Sequence, residues 1–425
     1  MIAFVGLSHL GLNYSLATAA KGFEVLAYDP DAALAARCAR GDFPIDEPGF
    51  ADLWARHRAR LTYTADAARL AACDLVFFAL DVRTNEQNES DLAPLQALVR
   101  ATAPRLAAGA TVVLLSQVPP GHTRALVAEL VQRPDVRVRS FYYQVETLIF
   151  GAAVQRALEP ERYIVGAADP GAALPARYRE WHAAFGCPVL VMRYESAELA
   201  KIAINFFLVS TVTTTNTLAE VCEAVGADWA EIAPALRLDR RIGPHAYLKP
   251  GLGIAGGNLE RDLVTVRRLA ARHGTDDRVV AAWQANSVYR RDWVLRRLQR
   301  ELLDRAPDAR VGVWGLAYKA DTHSLKNSPS LELLRALPGT HFQAHDPVAR
   351  LPAADFPQVA VMAAPLEAAA GTDALVVMTP WKVYGTMPVA ELAARMRGRL
   401  LIDPYAALDG AACRAAGFTH HRLGC

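Results

Sequence analysis

Residues 1–31 read MIAFVGLSHLGLNYSLATAAKGFEVLAYDPD, and this stretch decides the fold. Ile2–Val5 is a short, uninterrupted apolar strand of the kind buried on both faces. The turn Gly6-Leu7-Ser8-His9-Leu10-Gly11 follows, a helical pattern runs to about Ala20, and EVLAYD forms a second strand ending at Asp29. Strand, glycine turn, helix, strand and acid in that order make a βαβ unit with a dinucleotide-binding fingerprint. The first glycine permits the tight turn, and Gly11 lets helix and strand pack closely. The middle position normally brings the backbone up to a pyrophosphate at the helix N-terminus; here Ser8 adds a side chain. Gly6, Ser8, Leu10 and Gly11 are therefore candidate cofactor-binding residues. Asp29 is placed to accept both ribose hydroxyls. Pro30 and Asp31 follow it, with no arginine for a 2′-phosphate, which favours NAD over NADP. On this stretch alone, a glycine turn in an unrelated α/β protein stays open.

Further strand-like runs occur at 74–80, 111–117, 162–167 and 188–192, with helical segments between most of them. They predict an open, mostly parallel sheet. From Ser196 to Val225 a helical pattern runs without Pro or Gly, and Gly226 offers a stop. Thirty residues of helix span about 45 Å, which suits a connection between domains or a dimer surface. Helical character resumes over 260–303. A second βα unit opens at ARVGVWGLAYK (309–319), with strands at 341–347, 374–380 and 399–404. The expected fold is α/β: two Rossmann-like doubly wound parallel-sheet domains joined by a long central helix and a helical domain. The expected boundaries are 1–194 for an NAD-binding domain, 195–304 for a helical, dimer-forming domain and 305–425 for a nucleotide-sugar-binding domain.

A chain of 425 residues is too long for one small core. Its 52% hydrophobic and 21% charged residues are ordinary for a globular protein, and a net charge of +2 argues for neither nucleic acid nor an anionic membrane. We read no eighteen-residue apolar run and no signal peptide, so a cytoplasmic protein without a membrane partner is expected. The six cysteines are scattered, with no metal-like spacing and no disulfide framework, and no metal is expected. Only six of the 46 basic Lys and Arg residues are lysine, so a lysine inside a motif-like stretch carries weight.

Lys201 and Asn205 are four residues apart and share one helix face, able to project an ammonium and an amide into a cleft. A solvated lysine and a surface asparagine fit the spacing as well. GLGIAGGNLERD (251–262) packs four glycines into seven positions before a polar run ending in Asp262. Such a backbone could wrap an anion or a sugar, with Asp262 acting as a base or anchoring a water, though a loop without a ligand fits too.

Several stretches, in order, resemble the UDP-glucose/GDP-mannose dehydrogenase family. They are VGLSHLGL, SQVPPGHT, YYQVETLIFG, RALEPERYIVG, AELAKIAINFFLVSTVTTTNTLAEVCEAVGAD, RRIGPHAYLKPGLGIAGGNLERD, GLAYKADTHSLKNSP, AHDP and LIDP, which together span roughly residues 2–404. The resemblance implies a homodimer that oxidises a nucleotide-linked hexose from alcohol to acid with two NAD, through a thiohemiacetal on a cysteine. It carries catalytic positions onto Lys201, Asn205, Asp262 and Glu146, and cofactor positions onto Gln117 and Lys326. Substrate positions fall on Lys201, Arg241, Tyr247, Leu248, Gly253 and Lys319, with a UDP-hexose favoured.

The family cysteine falls on Asn258. An amide has no accessible anion comparable to a thiolate, so covalent capture of an aldehyde is expected to be absent. Gln117, Ile149, Phe150, His323, Ser324 and Lys326 also depart from the family pattern. The expected activity is an NAD-dependent oxidation of a CH–OH group that stops after two electrons or reverses, as in epimerisation. Alternatives are oxidation to the acid through the aldehyde hydrate, with Asp262 or Glu146 activating water, and a non-catalytic nucleotide-sugar-binding protein.

Overall fold

The computed structural model describes residues 1–425, which divide into two compact units, Met1–Ile204 and Asn205–Cys425. The first unit is built on eight strands: β1 (Ile2–Val5), β2 (Val25–Tyr28), β3 (Leu61–Thr64), β4 (Leu75–Phe78), β5 (Thr111–Leu114), β6 (Ser140–Gln144), β7 (Tyr163–Ala167) and β8 (Val189–Arg193). They lie in the order β3-β2-β1-β4-β5-β6-β7-β8, parallel throughout except for the β6–β7 pair. Alternate residues of β1 feed opposite layers: Ile2 and Phe4 join one apolar cluster, Ala3 and Val5 the other. That is why its sequence is apolar at every position.

The order reverses between β1 and β4, which opens a crevice at the strands' carboxyl ends. Gly6 leaves β1 at φ +106, and helix His9–Ala20 begins three residues later. A Cβ on Gly11 would lie 1.8 Å from the Gly6 carbonyl oxygen, so helix and strand meet with no room for a side chain. Asp29 closes the turn from β2, its Oδ2 accepting the Leu7 N–H at 2.8 Å.

The second unit carries β9 (Arg310–Trp314), β10 (His341–His345), β11 (Val359–Val361), β12 (Ala374–Val377), β13 (Leu400–Ile402) and β14 (Thr419–His421). Their order is β11-β10-β9-β12-β13-β14, all parallel. The opening device of the first unit recurs here. Gly315 leaves β9 at φ +95, and Asp346 Oδ2, just past β10, accepts the N–H groups of Leu316 and Ala317 at 2.7 and 3.0 Å. The remainder is helical: Trp229–Leu238, Asn258–His273, Arg278–Arg291 and Trp293–Leu298.

Helix Tyr194–Val225 is continuous over 32 residues and ends at Gly226, φ +76. By length and composition it is apolar enough to cross a bilayer. Two of its buried polar side chains bond to protein: Thr215 donates to the Tyr247 carbonyl, and Asn216 Oδ1 accepts the Gly251 N–H. The strands that escaped notice in the sequence are β3, β6, β11 and β14. Three of them close a sheet edge with half-exposed residues, and β6 carries a polar residue at each end.

Gly11→Ala is expected to cost about 3 kcal/mol or more, because backbone must move. Gly22→Ala, at φ +98 with open space around it, is expected to cost only about 1–2 kcal/mol of backbone strain. Urea denaturation of the two variants measures the difference.

Candidate active site

In the first unit the fingerprint turn is complete despite its serine. Ser8 Oγ donates to the Ala79 carbonyl at 3.1 Å and accepts the Asp81 N–H at 2.9 Å. The side chain is thus turned against the end of β4 and makes no cap to the helix it precedes. Leu10 is buried, and its N–H points to the helix mouth. His9 beside it pairs with buried Glu47 at 2.7 Å, and its ring lies 4.3 Å from that of Phe150. Glu47 also accepts the N–H groups of Gly151 and Ala153. The aromatic at 150, a departure from the family pattern, therefore packs beside the helix N-terminus.

Lys201 is not a solvated lysine. Its ammonium lies 3.0 Å from Glu146 Oε1 and donates to the Glu146 carbonyl at 3.0 Å, with only 12% of the side chain exposed. Glu146 Oε2 accepts the Leu148 N–H at 2.9 Å. Gln117 is half-buried just past β5, ahead of helix His122–Gln132. The N-terminus of that helix is held by buried Glu198, which accepts from Gly121 and Thr123 at 2.6 and 2.8 Å.

In the second unit, Asn205 Nδ2 donates to Asp262 Oδ2 at 2.6 Å, while Arg261 Nε lies 3.3 Å from Asp262 Oδ1. All three residues are buried. Both carboxylate oxygens are engaged, and the contact holds the Asn205 amide in place. Asn258 is exposed and opens helix Asn258–His273, four residues before Asp262 and on the same face.

The glycine segment answers to packing within the protein. A Cβ on Gly253 would sit 2.4 Å from the Ser287 carbonyl, and one on Gly256 would sit 2.7 Å from the Tyr318 ring. Both have positive φ. The Ile254 N–H donates to Ser287 Oγ at 2.7 Å, as the Gly251 N–H does to Asn216. Asn327, at φ +50, then ties the segment to its helix, its amide nitrogen reaching the Gly256 carbonyl at 2.6 Å and also Glu260.

The other substrate candidates are dispersed in their settings. Arg241 is 89% exposed and paired with Asp239 at 2.6 Å. Tyr247 is exposed, whereas Leu248 is buried with Cys222 and Trp229, its carbonyl accepting the Trp229 indole N–H. Lys319 lies over the Tyr318 ring at 5.8 Å, and Lys326 is half-buried near Glu260. Arg261, Glu260, Asn327, Glu47 and Asp81 were not singled out from sequence. Only Arg261, adjacent to a suspected aspartate, offered a signal.

Three family models match in succession: the UDP-glucose/GDP-mannose dehydrogenase NAD binding domain over residues 1–185, the central domain over 195–287 and the UDP binding domain over 312–410. The chain is 30% identical to a UDP-glucose 6-dehydrogenase of Pseudomonas aeruginosa, covering 100% of this chain and 97% of that one. It is 29% identical to the UDP-glucose 6-dehydrogenase TuaD of Bacillus subtilis, covering 100% and 93%. A UDP-glucose dehydrogenase structure from Pyrobaculum islandicum superposes with a TM-score of 0.86 at 27% identity, over 97% of each chain. The chain belongs to the UDP-glucose/GDP-mannose dehydrogenase family. NAD is its cofactor, and it is an oxidoreductase of nucleotide sugars. The first unit fits that cofactor: the Gly6–Gly11 contact brings the N-terminus of the first helix up to the end of β1, and Asp29 stands at the end of β2.

Arg261→Met removes a buried guanidinium from beside the buried Asp262 carboxylate, and is expected to cost about 3–5 kcal/mol of stability; Arg261→Lys is expected to cost less. Burial pushes the Glu260 carboxyl from 4.5 up to about 7, against the pull of Arg291 and Lys326. The folded protein then holds more protons than the unfolded chain across that window, so stability falls as pH rises from 4.5 to 7. Glu260→Gln is expected to flatten this slope in urea titrations run at several pH values.

Proposed function

We propose that this member of the family binds a UDP-hexose and oxidises one CH–OH group by two electrons, releasing or reversing the carbonyl product rather than carrying it to an acid. The observation that carries the reading is Asn258, exposed at the first residue of its helix where the family pattern has cysteine. A thiol there would be acidified by the helix N-terminus; an amide gains no nucleophile from it. The remaining thiols are poor substitutes. Burial pushes Cys38, Cys73 and Cys413 up to about 11, and also raises Cys187 and Cys425. Cys222 is buried in a cluster with Trp229 and Leu248, separate from the Ile254–Leu263 cluster next to Asn258.

NAD, when bound, supplies the hydride acceptor. The chain's own residues manage the proton. Lys201, held against Glu146, offers an ammonium to the oxygen that becomes negative as its proton leaves, and Glu146 is the acceptor for that proton. Asn205, one turn further along the same helix, has its amide nitrogen committed to Asp262, which leaves its carbonyl oxygen to orient a hydroxyl. Arg261 lies against the other Asp262 oxygen and fixes the carboxylate in that task.

Residues 1–194, 195–304 and 305–425 serve in this reading as cofactor, dimer-forming and nucleotide-sugar parts. A homodimer is supported by Phe207, Leu218, Val221 and Val225, an exposed apolar stripe along one helix. A cytoplasmic setting suits six free cysteines.

Incubation with NAD and a panel of nucleotide sugars is expected to give one NADH per sugar and a carbonyl product that hydroxylamine traps. Two NADH per sugar with acid formed would favour oxidation through the hydrate instead. Asn258→Cys is expected to gain the second oxidation, read as acid by mass spectrometry. Lys201→Ala is expected to lower kcat by about a hundredfold or more.

A further inference from the structure

Asp81 follows β4 at the point where the sheet order reverses, and no role above uses it. Its Oδ2 accepts the Leu10 N–H at 3.3 Å, in the first turn of helix His9–Ala20. Its own N–H donates to Ser8 Oγ, which in turn donates to the Ala79 carbonyl. The residue at the middle fingerprint position thus braces the turn that delivers a carboxylate to the helix mouth. That mouth is where a fingerprint turn seats the pyrophosphate of a dinucleotide.

We propose that Asp81 is an internal anion that occupies the pyrophosphate position of the cofactor site, so that cofactor binding requires the Asp81 carboxyl to leave the helix mouth or to accept a proton. The proposal rests on NAD being the cofactor. A carboxylate and a pyrophosphate cannot share the same few N–H groups without like-charge repulsion, and repulsion at contact distance outweighs the loss of one hydrogen bond of 3.3 Å.

The charged groups facing Asp81 are His9, paired with Glu47, and Glu146, paired with Lys201. Asp81 is exposed as a residue, but the turn takes water from its carboxyl and raises its pKa above the ordinary carboxylate range; His9 opposes the rise and Glu146 adds to it. As pH falls through the raised pKa, Asp81 becomes neutral, its competition ends and the cofactor binds more tightly.

The test is calorimetric titration of the full chain with NAD, at neutral pH and at about pH 5. Asp81→Asn and Asp81→Ala are expected to bind NAD about tenfold more tightly than the unaltered protein at neutral pH. The advantage is expected to shrink at acid pH. Thermal melts establish that the variants are folded. Equal or weaker binding by both folded variants at neutral pH overturns the proposal while leaving NAD as the cofactor. Failure of every protein to bind NAD at either pH overturns the cofactor assignment and this proposal with it.

Discussion

The carbonyl oxygen of Gly6 occupies the place where a side chain on residue 11 would begin. Everything in the first unit is arranged around that contact. It seats the first helix directly on β1, which aims the helix N-terminus into the crevice between β1 and β4 and brings the β2 aspartate under the turn. The second unit reaches the same solution with Gly315 and Asp346, where a side chain on the glycine would meet Thr379. In both units a carboxylate at the end of the second strand holds the turn through backbone N–H groups. The two sheets are loosely alike in sequence because only a glycine and an aspartate are needed to specify this corner.

The central chemistry shows a different balance. Lys201, Glu146, Asn205 and Asp262 are buried or nearly so and each is paired, the condition of side chains held in place rather than left over. Among the positions the resemblance assigns to catalysis, Asn258 is the one that has changed character. A site that had lost its purpose would not keep charged groups paired in the interior, because each unpaired charge there costs several kcal/mol. The pairing favours an altered reaction over an abandoned one.

Much of the fold was legible because parallel strands buried on both faces are apolar at every position, and because the glycine turn, the acid after β2 and Gly226 each answer to a local backbone demand. The edge strands β3, β11 and β14 were not legible, since half-exposed residues dilute the pattern that marks a strand. Lys201, Glu146, Asn205 and Asp262 could all be named from spacing and resemblance, but not which of them pairs with which. Glu146 is 55 residues from Lys201, and Asn205 is 57 from Asp262. The glycines of 251–257 were visible while their cause was not. Gly253 and Gly256 yield to Ser287 and Tyr318, residues 34 and 62 positions away that no local pattern connects to them.

The scattered cysteines carry a physiological consequence. A dehydrogenase that depends on a thiolate is stopped by peroxide or by any alkylating electrophile, because the ionised sulfur is the first atom attacked. Here burial holds Cys38, Cys73 and Cys413 in their thiol form, and the exposed helix start carries an amide. Turnover by such a chain would not follow the redox state of its surroundings. On the proposed reading, oxidative stress that silences a thiol-dependent dehydrogenase would leave this one supplying its product.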